Sequence, residues 1–246
     1  MKNKNDNIEK LVQIFLVFGL ILVIFNQFQL FTINPSNNVV TGISLVGASE
    51  IIPVGVPEVY GKELGISYDF VNSNNPQLAD QTINIMGNID RSIVLTGDDL
   101  KRYVDIVSDI SCEYCCGAMS IIFTEDDVKK VDAQIEVAIK SGKLTQGEAK
   151  QYKRMAGDAA CGCAHSFAMR GLAKYLITEH GDEFSDEEIM SELAKWKVLY
   201  FPAQMTAKAE VMKERGIEFS YVNLGSNKYR DIEKGAVSGS GMVGGC

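Results

Sequence analysis

The chain has 246 residues, with 24 basic and 32 acidic side chains and a formal net charge of −8. This length leaves room for one or two domains. The sequence contains no basic patch interleaved with aromatic residues, which argues against nucleic acid as a partner. The acidic balance by itself indicates only a solvated surface.

The N-terminal region has the pattern of a membrane anchor. Lys2, Lys4 and Lys10 precede a stretch without charge, and the apolar residues continue from Leu11 to Ile33. A bilayer-spanning helix needs about 20 predominantly apolar residues, and no small-residue cleavage site follows promptly. We therefore expect an uncleaved transmembrane helix over Leu11–Ile33 rather than a signal peptide or a buried core helix. The lysines place the N-terminus in the cytoplasm and the remaining domain outside the cell membrane.

The predicted fold is mostly α: the N-terminal transmembrane helix, then a helical ectodomain with a few short strands. Residues 1–33 form the cytoplasmic N-terminus and the anchor, and residues 34–81 form a juxtamembrane linker and irregular segment. Residues 82–234 form a helical, cysteine-rich domain, in which 124–157 is an inserted helical hairpin. Residues 235–246 are rich in Gly and Ser without charge, which is typical of a flexible tail.

Start signals and apolar spacing define the elements of this domain. Short alternation over 82–95 predicts a β-hairpin or two strands that turn near Gly87. Polar caps followed by apolar residues at helical spacing predict helices further on. The predicted helices cover 98–111, 124–140, 145–156, 163–179, 185–200 and 203–215, and short strands are predicted at 120–123 and 217–222.

Five of the six cysteines fall into two clusters. Cys112, Cys115 and Cys116 follow one predicted helix, whereas Cys161 and Cys163 precede the next long one, with His165 on its apolar face. One cluster lies at a helix C-terminus and the other at a helix N-terminus, so antiparallel packing of the two helices can bring the clusters level. We therefore expect a single site that contains Cys112, Cys115, Cys161, Cys163 and His165. The alternative for His165 is a hydrogen-bonded histidine of the core.

Three uses of these thiols remain open. Zinc favours a closed tetrahedron of Cys and His, and copper(I) favours thiolate, so a soft metal site is the leading hypothesis. Structural disulfides are allowed outside the cytoplasm. Cys112 and Cys115 also have the Cys-x-x-Cys spacing of thiol oxidoreductases, but here the motif follows a helix instead of opening one after a strand. No Ser-His-Asp set, phosphate loop or carboxylate pair stands out, so the sequence does not favour an enzyme.

The two clusters resemble blocks of known proteins. Cys112-Glu-Tyr-Cys-Cys-Gly together with Cys161-Gly-Cys-Ala-His-Ser-Phe-Ala-Met is similar to a group of uncharacterised archaeal membrane-anchored proteins. That group often ends in Met-Val-Gly-Gly-Cys, as residues 242–246 do. Cys161-Gly-Cys is also distantly similar to bacterial PCYCGC-motif lipoproteins, although their cysteines form one block and no lipobox cysteine follows the apolar segment here. The resemblance implies no activity and names no protein partner. Cys246 is predicted to be either an attachment point or an inert end.

Overall fold

The structure is a computed structural model, and it describes residues 51–234 and 241–245. Within these ranges the fold is mostly helical, as predicted. Extended pairing in the same ranges is limited to isolated bridges of Ile110 with Ser226, Cys112 with Ala118, and Ile122 with Ala159. The α-helices are α1 Gly61–Leu64, α2 Pro76–Ser92, α3 Gly97–Val107, α4 Glu125–Lys140, α5 Gln146–Ala149, α6 Ala164–Glu179, α7 Asp186–Tyr200, α8 Pro202–Glu214 and α9 Tyr221–Gly225.

Polar side chains fix where the long helices begin. Thr124 and Ser185 each accept a hydrogen bond from the main chain three residues on, and the acidic residue there bonds back to the cap. Such a capping box satisfies two backbone donors that a helix N-terminus otherwise leaves without partners. The predicted starts of α4 and α7 are therefore confirmed. The helix predicted over 145–156 is shorter, because α5 gives way to a 3₁₀ turn at Lys150–Tyr152.

The β-hairpin predicted over 82–95 is wrong. Nearly all of that stretch belongs to α2, which begins with the Asn75 side chain capping the Leu78 amide and Pro76 in the first turn. Ala79, Ile83 and Met86 are buried on one side of this helix, a spacing of three to four residues. The apparent alternation was part of this helical pattern, and the Asn-Pro start signal decides the assignment.

The strand predicted over 217–222 is also wrong. Residues 217–220 have no regular structure, and α9 begins at Tyr221, where the Ser220 side chain accepts a hydrogen bond from the Asn223 amide. A serine in this position favours a helix start because its oxygen satisfies an otherwise unpaired amide. At 120–123, the structure has only the single bridge from Ile122 to Ala159.

Helix α6 occupies the centre of the core. It packs along α2 and also contacts α7 and α3, so Ala168, Leu172 and Leu176 are completely buried. The α2–α6 approach is close at Gly171, where a Cβ atom would lie 1.8 Å from the Met86 carbonyl oxygen. This packing fixes the N-terminal end of α6, which carries the second cysteine cluster.

The predicted anchor, linker and tail lie wholly or partly outside the residues that the structure describes. The predicted anchor, Leu11–Ile33, lies outside the described residues. Within 51–234 and 241–245, no helix combines the length and the apolar character needed to cross a bilayer. The later part of the predicted linker holds α1 and the start of α2. Of the predicted tail, residues 241–245 are described, and Val243 among them is buried.

Candidate thiol site

Cys112 is held in a tight loop that follows α3. Its amide donates to the Ala118 carbonyl across 3.2 Å, and its carbonyl accepts from the Gly117 amide across 2.9 Å. Gly117 has φ +74°, a left-handed conformation that glycine adopts without strain. The Cys112 side chain is 1 % exposed, so the loop presents its thiol to the interior.

Cys163 caps α6, at the start of the helix predicted over 163–179. It has extended backbone geometry, and its sulfur accepts a hydrogen bond from the Ser166 amide at 3.4 Å. Cys161, two residues earlier, is buried. Its carbonyl accepts a 2.9 Å hydrogen bond from Nη1 of Arg170. The start of α6 thus positions both thiols of the second cluster.

The structure brings three of the predicted residues together. The sulfur atoms of Cys112, Cys161 and Cys163 all lie within 4.8 Å of one another. Cys112 Sγ and Cys163 Sγ are 3.3 Å apart, and Cys163 Sγ is 3.2 Å from Ser166 Oγ. All three are free thiols, and together they could hold a metal ion.

The Cys112–Cys163 pair is electrostatically asymmetric. A hydrogen bond from the Cys163 thiol lowers the pKa of Cys112, although burial opposes this. The same interaction raises the pKa of Cys163, and burial adds to the effect. Deprotonation is therefore favoured at Cys112 over Cys163.

A buried ionic group lies beside Cys112. Lys197 Nζ contacts Glu113 Oε1 at 3.1 Å and Ser111 Oγ at 3.2 Å, and Lys208 Nζ lies 3.4 Å from the same carboxylate oxygen. The side chains of both lysines are 0 % exposed and that of Glu113 is 1 % exposed. Burial lowers the pKa of Lys197 to about 8, against the attraction of Glu113. Two cations for one carboxylate leave a local excess of positive charge next to the thiolate.

His165 is buried at the start of α6, facing the interior as predicted. Nε2 lies 3.1 Å from the Val243 carbonyl oxygen, which only accepts, so this nitrogen carries the proton. Burial lowers the pKa of the ring, while Nδ1 has no hydrogen-bond partner among the described residues. The rings of Tyr200 and Phe201 pack on it at 4.6 and 5.0 Å between centroids. His165 does not belong to the group of ligand atoms within 4.8 Å.

Two other cysteines of the first cluster are not members of the three-thiol group. Cys116 is exposed, and its sulfur is 4.0 Å from the Cys112 carbonyl oxygen. The pKa of Cys116 is raised to about 12. The larger cause is the partial burial of its sulfur, and the next is a hydrogen bond with Cys161. Cys115 is half-buried and packs against the core. Cys246 lies outside the described residues.

The burial of Lys197 and Lys208 was not predicted from the sequence. Lysine is normally counted as an exposed residue, and it is rarely buried without a charged partner. Lys197 lies between Trp196 and Val198, which are both 0 % exposed, so a polar residue within a strongly apolar run was the only available signal. Its partner, Glu113, lies within the first cysteine cluster, where only the thiols were predicted to have a role.

Comparison with known proteins adds no relative to this description. The chain matches no protein-family model, no curated protein and no solved structure. What the arrangement can do therefore follows from its chemistry: three adjacent thiols, one of them with a lowered pKa, and a neighbouring excess of positive charge.

Proposed function

We propose that the protein binds a soft transition metal, zinc or copper, through Cys112, Cys161 and Cys163. The observation that carries this proposal is the convergence of the three sulfurs within 4.8 Å from two separate segments. Thiolates select these metals over harder ions such as magnesium or calcium. A zinc–sulfur distance of about 2.3 Å implies sulfurs roughly 3.8 Å apart in a tetrahedral site. The 3.3 Å Cys112–Cys163 pair therefore has to open only slightly.

The charges around the thiols support metal binding. The lowered pKa of Cys112 favours its thiolate, and a bound metal would displace the remaining thiol protons because metal ions require deprotonated sulfur. Three thiolates around a monovalent or divalent ion leave a net negative charge in a buried place. The buried cations of Lys197 and Lys208 exceed the single charge of Glu113 and offset part of it.

His165 is proposed as a further member of the same site. Metal-binding histidines usually donate their second ring nitrogen to a carbonyl or carboxylate, and His165 Nε2 makes such a bond to Val243. Nδ1 is then the nitrogen that a metal would use. For Cys115, packing against the core is the only supporting observation.

The proposal also places this site outside the cell membrane, on a domain anchored through Leu11–Ile33 with its N-terminus in the cytoplasm. The support is the apolar stretch and its preceding lysines. Protease added to intact cells or spheroplasts should remove the domain. Protection of the domain until the membrane is lysed would contradict this orientation.

Metal analysis of the reduced, purified protein tests the binding itself. We expect one zinc or copper(I) ion per chain, with an affinity measured by competition against a chromogenic chelator. Cys163→Ser should weaken binding strongly, whereas the exposed Cys116→Ser, the matched control, should leave it close to the wild-type value. Equal affinities for the two variants, or no metal retained by the wild type, would refute the proposed site.

A second candidate function, thiol–disulfide exchange, is favoured by the Cys112–Cys163 pair. A thiolate 3.3 Å from a second thiol can attack a disulfide, and the neighbouring thiol can then resolve the mixed disulfide. The two cysteines would be oxidised to one disulfide while the substrate disulfide is reduced to two thiols. This pair replaces the predicted pair of Cys112 and Cys115. Metal-free protein that reduces an aromatic disulfide and gains a Cys112–Cys163 link in peptide mass spectra would support exchange over metal storage.

A further inference from the structure

The inserted hairpin, residues 124–157, extends from a base that two main-chain hydrogen bonds close. The Phe123 amide donates to the Asp158 carbonyl at 2.8 Å, and the Gly157 amide donates to the Phe123 carbonyl at 2.9 Å. Among the described helices, α4 packs appreciably only against the short helix α5. Ile135 is the only buried residue of α4. The rest of the fold therefore leaves most of this 16-residue helix uncovered.

An apolar groove of about 360 Å³ lies between α4 and the chain that follows it. Val131, Ile135 and Ala138 line the groove from α4, and Leu144 and Tyr152 line it from the other side. The Tyr152 side chain is itself 48 % exposed. The hairpin is thus too small to bury its own apolar side chains completely.

Apolar side chains also stand exposed beside this groove. Val137 is 66 % exposed and Met155 is 71 % exposed. Val137 lies one helical turn after Gln134, and Met155 directly follows Arg154; Gln134 and Arg154 both line the groove. We call the groove together with Val137 and Met155 the hairpin face. Exposed apolar surface that is continuous and rimmed by polar residues marks an interaction site.

The two edges of the groove differ in charge. Helix α4 carries five acidic and three basic side chains, a net −2, whereas the returning segment 141–157 carries one acidic and four basic ones, a net +3. A two-fold axis along the groove lays α4 of each copy over the returning segment of the other, so opposite charges meet at both edges. An anionic lipid surface, in contrast, would repel α4. The charges therefore favour a second copy of the chain over a lipid surface.

We propose that the hairpin face is the contact through which two copies of this chain associate. The grooves and the exposed apolar side chains supply the attraction, and the charged edges fix the orientation. A helix of 16 residues is about 24 Å long. The interface therefore belongs to the smaller class, below about 1,200 Å² in total, which is typical of transient complexes. This association is independent of metal binding at the thiol site.

Sedimentation equilibrium of the full-length protein, in a density-matched detergent, measures the association. Reducing conditions exclude disulfides between copies through the exposed Cys116. We expect a reversible monomer–dimer equilibrium. Val137→Ser should raise its dissociation constant about tenfold, because apolar contact is lost from both copies. Val94→Ser is the matched control: Val94 is 84 % exposed but lies outside the hairpin, so its replacement should leave the equilibrium unchanged.

Charge reversal tests the orientation. Asp126→Lys on α4 and Lys153→Glu on the returning segment should each raise the dissociation constant more than about tenfold, because like charges then face each other twice in the dimer. The double variant has the wild-type net charge of −8 again and should associate like the wild type. Asp98→Lys is the matched control, since Asp98 holds the same second position in α3 that Asp126 holds in α4.

Far-UV circular dichroism of each variant checks that the helix content is that of the wild type. A wild type that stays monomeric at every concentration would overturn the proposal. A dimer whose dissociation constant responds neither to Val137→Ser nor to the two reversals would also overturn it, because the copies would then associate through another surface. A double variant as weak as the two single reversals would refute the pairing of α4 with the returning segment.

Discussion

Arg170 and Cys161 are joined by a 2.9 Å hydrogen bond from the guanidinium Nη1 to the main-chain carbonyl oxygen. The same nitrogen donates to the Ile121 carbonyl at 3.2 Å, and Nε donates to Asp90 Oδ2 at 3.1 Å. Arg170 is 1 % exposed. One buried cation thus ties the loop that carries Cys161 to α2 and to the segment after the first cysteine cluster.

Arg170→Met is expected to lower both stability and metal affinity. Breaking a buried ion pair costs about 3–5 kcal/mol, and the Cys161 loop also loses the donor that fixes its carbonyl. The free energy of unfolding in urea and the zinc affinity would be measured together. Lys174→Met is the control, because Lys174 Nζ contacts the same carboxylate at 2.9 Å and has no bond to Cys161. Equal losses of zinc affinity in the two variants would contradict a positioning role for Arg170.

The α2–α6 contact gives a second prediction. Gly171→Ala places a methyl group 1.8 Å from the Met86 carbonyl oxygen, so the two helices must move apart. We expect a loss of stability well above the cost of an ordinary overpacked site, about 1–3 kcal/mol. Gly87→Ala on the facing helix puts its methyl 3.5 Å from Phe167, an ordinary contact, and should be neutral or slightly stabilising. Calorimetric unfolding of the two variants provides the measurement, and similar melting temperatures would disprove the close approach.

The buried lysines give a third prediction. Lys197→Met leaves Glu113 with only the 3.4 Å contact to Lys208 and with Ser111, so it should destabilise the fold by about 3–5 kcal/mol. It also removes a cation near Cys112, which should raise the pKa of that thiol and slow its alkylation at neutral pH. Lys129→Met removes an exposed pair with Asp126 and should cost at most about 0.5 kcal/mol. A Lys197→Met protein with unchanged Cys112 reactivity would show that the ionic group does not act on the thiol.

The comparison of sequence with structure separates local from long-range information. Cap residues announced α4 and α7, because capping involves residues only three positions apart. Helical apolar spacing, which is also local, placed His165 on the inward face of α6. The Cys-x-x-Cys spacing, in contrast, predicted Cys115 as the partner of Cys112. In the structure Cys112 forms its 3.3 Å sulfur contact with Cys163, which is 51 positions away. Nothing local distinguishes these two partners.

The missed features share a physical reason. Lys197 and Glu113 are polar residues whose burial depends on each other, so neither can be recognised until the fold brings them together. The 82–95 stretch was misassigned because a short apolar alternation outweighed the Asn75-Pro76 start signal. The contacts of residues 241–245 with the helices could not be predicted from the sequence. A Gly-rich composition is common both to flexible tails and to segments that pack closely on a surface.

The last prediction concerns pH and the C-terminal end of α6. His180 Nδ1 lies 2.8 Å from Glu183 Oε1, and Nε2 lies 3.1 Å from Glu63 Oε2. The hydrogen bond with Glu183 is the largest of the causes that raise the pKa of His180 above its usual 6.5, and the bond with Glu63 adds to it. Burial of the ring opposes both in part. The folded state thus binds the proton more tightly than the unfolded chain. The stabilisation is fully present below the unfolded pKa and is lost as pH rises through the higher folded value.

His180→Gln should therefore destabilise the protein more in acid than in base. The quantity to measure is the difference in free energy of unfolding between wild type and variant, at about pH 5 and about pH 8.5, on either side of the histidine titration. We expect the difference to shrink between these values. Glu183→Gln keeps a side chain of the same shape without its charge, so it should reduce this pH dependence while His180 stays in place. A wild-type-to-variant difference that is the same at both pH values would mean that folding does not change the pKa of His180.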